Sequence, residues 1–136
     1  MLDLFAGSGA LGLEALSRGA RLAVFVERSP AALAALSTNL AHVGVAGGTI
    51  LAEDVMGFIT RSHAPTGFDI VFADPPYAGG GARRLLDEGR WERLLTPQGV
   101  LVLESEEELA PAGVLERTDI RRYGRTYISF FRRRQD

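Results

Sequence analysis

The sequence has 136 residues and contains neither cysteine nor lysine, since all of its 15 basic residues are arginine. Without cysteine there can be no disulfide scaffold, iron–sulfur cluster, thiolate metal site or cysteine nucleophile. Without lysine there can be no Schiff-base chemistry and no lysine of a phosphate-binding P-loop. The two isolated histidines, His42 and His63, argue against a zinc centre and a histidine-based triad. Carboxylates, backbone groups, aromatic rings and a bound cofactor remain as carriers of any chemistry.

Long hydrophobic runs are also missing. No apolar run approaches the roughly 20 residues that cross a bilayer, and no basic-then-apolar leader opens the chain, so we expect a cytoplasmic protein without membrane partners. An apolar fraction of 46% suits one packed domain over residues 1–136. The formal net charge is −2, yet residues 109–136 hold seven arginines against three acidic residues. These arginines either bind phosphate or keep a sheet edge solvated, and both interpretations stay open.

Continuous apolar runs alternate with helical patterns along most of the chain. Such runs are typical of parallel strands covered on both faces, and they predict strands at 1–5, 22–26, 49–52, 70–73 and 100–103. The patterns between them predict helices at 10–17, 30–43, 54–61 and, as one or two helices, 83–95. The runs 114–121 and 126–132 flank a turn and predict a hairpin. The expected fold is α/β: a Rossmann-like, doubly wound, mostly parallel seven-stranded sheet that ends in an antiparallel hairpin.

A glycine-rich loop follows the first predicted strand. Gly7, Gly9 and Gly12 have the spacing G-x-G-x-x-G, which permits a tight strand-to-helix turn and lets backbone N–H groups approach a ligand. The pattern alone is weak, and a turn that merely packs on a helix would have it too. Glu27 follows at the end of the next strand, where a carboxylate can accept hydrogen bonds from a ribose diol. This context favours nucleotide binding.

Two further carboxylates narrow the choice of cofactor. Asp3 would repel a pyrophosphate lying on the loop, whereas it would favour the ammonium and sulfonium groups of S-adenosylmethionine. Asp54 follows the third strand, where it can contact the adenine amino group or simply cap the next helix. The neighbouring Glu53 can share the adenine contact, and spacing does not decide between the two. We therefore predict S-adenosylmethionine as cofactor, S-adenosylhomocysteine as its product, and no metal. The predicted cofactor-binding residues are Asp3, Phe5, Ala6, Gly7, Ser8, Gly9, Glu27, Arg28, Asp54 and Val55.

The segment Asp74-Pro75-Pro76-Tyr77 directly follows the fourth predicted strand. Its two prolines remove two backbone donors and stiffen the turn, which leaves the Asp74 carboxylate and the Pro75 carbonyl as acceptors in a fixed relation. Tyr77 adds a flat face beside them. Such a set suits a planar group with an NH2, whose hydrogens meet the two acceptors while its ring stacks on the tyrosine.

This turn would activate the amine that it binds. An exocyclic amine is a poor nucleophile because its lone pair is delocalised into the ring, and two N–H hydrogen bonds would localise that pair for attack on a methyl sulfonium. The alternative is a rigid strand-end turn with a capping aspartate. We predict a catalytic role for Asp74, Pro75, Pro76 and Tyr77.

Together, the two motifs resemble those of Rossmann-like, S-adenosylmethionine-dependent methyltransferases with an Asp/Asn-Pro-Pro-Tyr motif. More narrowly, residues 2–15, LDLFAGSGALGLEA, resemble the family of methyltransferases that modify guanine N2 in small-subunit ribosomal RNA. The segments 25–27, 39–40, 74–77 and 123–126 are similar to the same family, and the likeness runs from residue 2 to residue 131.

This resemblance implies an enzyme that methylates the exocyclic N2 amine of one guanine in 16S ribosomal RNA, in a bacterial cytoplasm. Residues 74–77 would carry the base chemistry, and the cofactor would be held by Asp3, Gly7, Gly9, Glu27 and Asp54. The partner would be 16S ribosomal RNA or the assembling small ribosomal subunit, and we expect a monomer. Family members usually carry a basic segment before the first strand; here Met1 falls inside that strand, so we expect a chain that lacks this segment.

The residues alone leave other functions open. The same acceptor pair would serve an adenine-N6 methyltransferase on DNA or RNA, or a protein glutamine methyltransferase, since each target is a planar NH2. A nicotinamide-dependent oxidoreductase would use the glycine loop and Glu27 but would leave residues 74–77 without a role. A module that binds a nucleotide without chemistry is a further alternative.

Overall fold

A computed structural model describes residues 1–76 and 78–135. Strands and helices alternate in it as the sequence predicts. Within these residues the strands are β1 (Leu2–Leu4), β2 (Ala23–Glu27), β3 (Gly48–Ala52), β4 (Phe68–Ala73), β5 (Leu95–Ser105), β6 (Leu115–Tyr123) and β7 (Thr126–Arg133). The helices are α1 (Ala10–Ser17), α2 (Pro30–Val43), α3 (Val55–Thr60), α4 (Gly81–Glu88) and α5 (Trp91–Leu94), and a 3-10 turn covers Ala78–Gly80.

The strands form one seven-stranded sheet in the order β3-β2-β1-β4-β5-β7-β6. Strands β1 to β5 run parallel, whereas β7 pairs antiparallel with both β5 and β6. From β1 the chain moves outward to β2 and β3 and then returns to β4 on the other side of β1. Doubly wound sheets bind their ligands at such a reversal of winding, outside the carboxyl ends of the strands. The predicted Rossmann-like α/β fold is confirmed.

Helices cover both faces of the sheet, and each face has its own apolar core. On one face, α1 and α2 pack on β2, where Phe25 and Leu36 are fully buried. On the other face, α3, α4 and α5 cover the centre of the sheet with side chains that include Phe58, Leu85 and Trp91. The Trp91 indole N–H donates a hydrogen bond to the Leu85 carbonyl at 3.2 Å. Burial on both faces is the reason that β2 is a continuous apolar run, whereas buried and half-buried side chains alternate along the second half of β5.

Local sequence signals mark the helix ends correctly. Helix α2 begins at Pro30, after the N-cap Ser29, and ends before Gly44, whose φ of 71° is left-handed. Helix α3 follows Asp54, whose side chain accepts a hydrogen bond from the backbone N–H of Gly57. The helix predicted at 10–17 coincides with α1.

The fifth strand is longer than predicted. It begins at Leu95 rather than at residue 100, because Leu95 pairs with Phe68 of β4 just before a shift in the register. Pro97 and Gly99 are turn signals in the sequence, yet β5 carries them through this irregular stretch. The region predicted at 83–95 forms the two helices α4 and α5. None of the described helices is long and apolar enough to cross a membrane.

Candidate functional site

The glycine loop joins β1 to α1 along a left-handed path. Phe5, Gly7 and Gly9 have φ angles of 58°, 59° and 86°, and Phe5 is the one described non-glycine residue with positive φ. Gly12 serves packing instead, because a Cβ atom there would lie 2.3 Å from Cε1 of Phe25. The loop therefore combines a tight turn with very close contact between α1 and β2.

Glu27, at the end of β2, ties this loop to the start of α2. Its Oε1 accepts a hydrogen bond from the Gly7 N–H at 2.9 Å, and its Oε2 accepts from the N–H groups of Arg28 and Ser29 at 2.9 and 2.8 Å. A carboxylate offers about four lone-pair positions, so one remains for a ligand while these three bonds are kept. A contact to both hydroxyls of a ribose would need one of the three bonds to give way.

Asp3 lies beneath the glycine loop and is only 3% exposed. Its Oδ2 accepts a hydrogen bond from the Gly12 N–H at 3.2 Å. Burial raises the pKa of the Asp3 carboxyl to about 7; the charges of Asp74 and Glu27 add to this effect, and the hydrogen bond from Gly12 opposes it. A buried carboxyl with this pKa binds a proton readily near neutral pH, and a nearby cation would stabilise its ionised form.

Asp54 has two partners in the fold. Its Oδ2 accepts a hydrogen bond from the Gly57 N–H at 3.0 Å, which caps α3, and its Oδ1 accepts from the Arg28 guanidinium at 3.4 Å. The Arg28–Asp54 pair joins the turns that follow β2 and β3, while Val55 beside it is buried. Arg28, Asp54 and Val55, all predicted from the sequence, are therefore neighbours.

A cavity of about 430 Å³ opens at the carboxyl edge of β1 to β4. Of its ten lining residues, eight were predicted for the site: Phe5, Glu27, Arg28, Asp54, Val55, Asp74, Pro75 and Pro76. Ser29 and Glu53 complete the wall. The other predicted cofactor-binding residues, Asp3, Ala6, Gly7, Ser8 and Gly9, are not among its lining residues, although the Gly7 N–H donates a hydrogen bond to Glu27 of the wall. Tyr77, the fourth predicted catalytic residue, lies outside the described residues.

The charges around the cavity are mainly negative. Glu27, Glu53, Asp54 and Asp74 contribute carboxylates, and Arg28 contributes the cation. Glu53 is in ion-pair contact with Arg61 of the turn after α3. Among residues 1–76 and 78–135, no group of three or more histidine, aspartate or glutamate side chains is arranged to hold a metal ion.

Glu104 is a site residue that the sequence analysis missed. Glu104 and Asp74 both line a smaller cavity of about 150 Å³ beside the main one, so their carboxyl groups are close neighbours. Burial, followed by the charge of Asp74 and the hydrogen bond with it, raises the pKa of the Glu104 carboxyl. The available signal was position, because Glu104 ends an apolar strand just as Asp74 follows one.

The hairpin divides the C-terminal arginines between the two edges of the sheet. Tyr127 pairs with Ser105, so the turn before it, with Arg122 and Arg125, lies at the carboxyl edge near Glu104. Arg132 pairs with Val100 and donates a hydrogen bond to the Gln98 carbonyl, so Arg132 and the arginines after it lie toward the opposite edge. The sequence could not make this division because it depends on strand register.

Comparison with known proteins identifies the family. The family model described as "Conserved hypothetical protein 95" matches residues 1–132. The Ribosomal RNA small subunit methyltransferase D of Escherichia coli (strain K12) is 38% identical over 110 residues, which are 79% of this chain and 53% of that protein. The chain thus spans about half the length of this curated relative.

Two further similar proteins are matched over more of their own length. YlbH of Bacillus subtilis (strain 168), provisionally named as an rRNA methyltransferase, is 35% identical over 141 residues, which cover 98% of this chain and 75% of that protein. The solved structure of yhhF from Escherichia coli, provisionally named as a methyltransferase, has a TM-score of 0.82 at 32% identity and covers 99% of this chain and 75% of that one. A match over nearly the whole sequence, together with this close similarity of fold, shows that the chain belongs to the conserved hypothetical protein 95 family.

Proposed function

We propose that this chain is an S-adenosylmethionine-dependent methyltransferase that acts on the exocyclic N2 amine of a guanine in 16S ribosomal RNA. The observation that carries the proposal is the shared cavity of about 430 Å³, whose wall includes Glu27 and Asp54 at one part and Asp74, Pro75 and Pro76 at another. A cofactor and the amine that receives its methyl group can therefore bind side by side in this cavity. The names of the E. coli and B. subtilis relatives support ribosomal RNA as the substrate.

The charges in the wall of this cavity fit a cationic cofactor. Glu27, Glu53, Asp54 and Asp74 outnumber the one arginine in the wall, and the buried Asp3 carboxyl lies beneath the loop. Carboxylates attract the ammonium and sulfonium charges of S-adenosylmethionine and repel the pyrophosphate of a dinucleotide. The same argument opposes the nicotinamide-dependent alternative.

The cofactor would be held by residues from three strand ends. Glu27 has one free acceptor position for a ribose hydroxyl, and Asp54 with Val55 forms the wall that we assign to the adenine. Phe5 closes the loop side of the cavity, while the buried Asp3 carboxyl lies beneath the loop, where a bound cation would favour its ionised form. When bound, S-adenosylmethionine supplies a methyl group whose bond to sulfur breaks, leaving its electron pair on sulfur, as the acceptor nitrogen forms the new bond.

Asp74 and the prolines would prepare the acceptor amine. The Asp74 carboxylate and the Pro75 carbonyl accept its two N–H hydrogen bonds, which localise the nitrogen lone pair and strengthen as positive charge develops on nitrogen. Neither proline has an N–H that could compete for these acceptors. After transfer, the surplus proton of the amine passes to Asp74 or to water. We predict that Tyr77 stacks on the base.

Ligand binding tests the choice of cofactor. Isothermal calorimetry should give binding of S-adenosylhomocysteine and none of NAD, because the cavity wall carries several carboxylates and one arginine. Binding of NAD alone would overturn the methyltransferase proposal. Methyl transfer from labelled S-adenosylmethionine to 16S ribosomal RNA, assembled small subunits, DNA and a glutamine peptide then identifies the acceptor.

The Asp74→Ala variant tests the proposed chemistry. It should retain affinity for S-adenosylhomocysteine within about threefold, while methyl transfer falls about 10²- to 10³-fold, because one acceptor for the developing charge is lost. A Glu88→Ala variant in the exposed part of α4 is the control and should keep normal transfer. Equal loss of cofactor binding and transfer in Asp74→Ala would mean that the turn has only a structural role.

We further propose that the chain acts as a monomer in the cytoplasm, on free 16S ribosomal RNA or on the assembling small subunit. Support for the substrate comes from the relatives' names. The assay with free RNA and assembled subunits decides between the two forms of the substrate. Sedimentation equilibrium of the purified chain measures its association state.

A further inference from the structure

Glu104 stands beside Asp74 on the adjacent strand. In the parallel pair of β4 and β5, Ala73 is opposite Leu103, so the residues that follow, Asp74 and Glu104, are neighbours at the carboxyl edge. On its other side, β5 pairs Glu104 with Ile128 of β7. The backbone of β5 is therefore held by β4 up to Leu103 and by β7 at Glu104 itself, and strands position side chains more precisely than loops do.

Asp74 separates the proposed cofactor cavity from a second space that contains Glu104. Asp74 lines the cavity of about 430 Å³ and also the smaller one of about 150 Å³, which Glu104 shares. The rest of the smaller cavity is mostly apolar, with Leu11, Phe72, Val102 and Ile128 among its walls. An apolar space with two carboxylates on its border suits the flat faces and one donor edge of a base.

The two carboxylates lack cationic partners within the described part of the chain. Its ion pairs involve other acidic residues, and none includes Asp74 or Glu104. Two neighbouring carboxylates destabilise each other's charged form, and a ligand with adjacent N–H donors relieves this repulsion. The raised pKa of Glu104 is consistent with such a pair.

Planar amines differ in the atom next to the NH2 group. In guanine, N2 lies between the N1–H donor and the N3 acceptor, whereas in adenine N6 lies between the N1 acceptor and C5, so only guanine has an N–H donor beside its amine. In cytosine and in a glutamine amide, the flanking group is also an acceptor, N3 or the amide oxygen. If Asp74 binds the amine, a second carboxylate beside it favours a donor at the flanking position and repels an acceptor there.

We propose that Glu104 is the residue that selects guanine, by accepting a hydrogen bond from N1–H while Asp74 and Pro75 bind the N2 amine. This inference rests on the proposed methyltransferase function and adds to it the residue that discriminates among the possible amine substrates. Adenine, cytosine and a glutamine side chain are rejected because none has an N–H donor beside its amine that the Glu104 carboxylate could bind.

The test compares guanine with 2-aminopurine, which keeps the N2 amine but has an acceptor at N1. The methylated position is first mapped on 16S ribosomal RNA with the wild-type protein. A synthetic RNA of that region is then made with guanine, 2-aminopurine or adenine at the mapped position, and kcat/KM for methyl transfer is measured on each. The wild-type protein should prefer guanine to 2-aminopurine by roughly 10- to 100-fold, the value of one hydrogen bond to a charged group.

The Glu104→Gln variant should change this preference rather than activity alone. A glutamine amide can donate a hydrogen bond to N1 of 2-aminopurine, so the preference for guanine should fall to within about threefold. Affinity for S-adenosylhomocysteine should stay unchanged. Glu116→Gln, the same change at an exposed position of β6, is the matched control and should keep the wild-type preference.

The possible failures are distinguishable. If the wild-type protein methylates no base at all, the proposed function fails. If it methylates guanine and 2-aminopurine equally, or methylates adenine, the role of Glu104 is overturned while methyl transfer stands. If Glu104→Gln lowers both rates by the same factor, Glu104 is not the selecting residue. If the variant does not fold, equal rates of the wild-type protein on guanine and 2-aminopurine still overturn the role of Glu104.

Discussion

Single residues at this site owe their properties to their neighbours. Glu27 accepts three backbone hydrogen bonds, Asp54 caps a helix and pairs with Arg28, and Asp3 is buried under the loop. Each of these carboxylates therefore contributes to the fold as well as to the proposed binding site. For Asp3, the contribution to stability can be measured by varying pH and by substitution.

Asp3 should make the stability of the protein depend on pH. Burial raises its pKa in the folded chain to about 7, from an ordinary value of 3.8 that applies to the unfolded chain. Between these two values the unfolded chain binds fewer protons than the folded one. The contribution of Asp3 to the free energy of unfolding therefore falls as pH rises from 4 to 7, by at most about 4 kcal/mol, and is level above 7.

The Asp3→Asn variant isolates this effect. Asparagine keeps an acceptor for the Gly12 N–H but cannot ionise, so its stability relative to wild type should increase from pH 4 to pH 7 and then remain constant. Urea denaturation at a series of pH values measures the difference. Parallel curves for the two proteins would show that Asp3 ionises in the folded state as easily as in solution.

At the scale of elements, the glycine motif forms the turn after β1 and also allows α1 to pack closely on β2. Gly12 lies in α1 with its Cα against the Phe25 ring. Gly57 lies in α3, where a Cβ atom would meet only ordinary contacts, the nearest being Asp54 Oδ2 at 3.7 Å. A side-chain methyl group would therefore clash at Gly12 but fit at Gly57, a difference that helix propensity alone does not predict.

The same substitution should therefore have opposite effects at the two glycines. Gly12→Ala places a methyl group against the buried Phe25 ring and should lower the free energy of unfolding by about 1–3 kcal/mol. Gly57→Ala should raise it by about 0.5–1 kcal/mol through helix propensity. Urea denaturation of both variants provides the comparison, and a stable Gly12→Ala protein would mean that the helix can move away from β2.

At the scale of the whole molecule, the register of the hairpin brings basic side chains to the edge that holds the site. Arg122 and Arg125 lie near the turn between β6 and β7 at the carboxyl edge, and Arg122 stacks over the Tyr127 ring with 5.3 Å from Cζ to the ring centroid. Arg134 is exposed beyond β7 toward the opposite edge, where its backbone N–H donates a hydrogen bond to the Val114 carbonyl. A ribosomal RNA substrate would meet the first group and not the second.

RNA binding should therefore depend on Arg125 more than on Arg134. Arg125→Gln should weaken binding and reduce the slope of log K against log salt by about 1, since one phosphate contact is lost. Arg134→Gln is the matched control and should leave the slope unchanged. Filter binding of 16S ribosomal RNA between low and moderate salt gives both values; equal slopes in all three proteins would place the RNA away from the hairpin turn.

The sequence by itself determined much of the local structure. The N-cap Ser29, Pro30 and the left-handed Gly44 define α2, and apolar runs identify the five parallel strands, because caps, glycine turns and burial patterns are properties of short segments. The glycine loop, Glu27, Asp54 and the turn at Asp74 were likewise predicted from their positions at strand ends, where parallel sheets gather their ligands.

Only the tertiary structure decided which side chains meet. The start of β5 at Leu95, the contact between Glu104 and Asp74, the burial of Asp3 and the division of the arginines all depend on which strands are neighbours and in what register. Such contacts join residues far apart in the chain, and a shift of one position in a strand would move every side chain to the other face. Local patterns contain no information on that alignment, which is why a glutamate at a strand end became a proposed base-selecting residue only in the folded sheet.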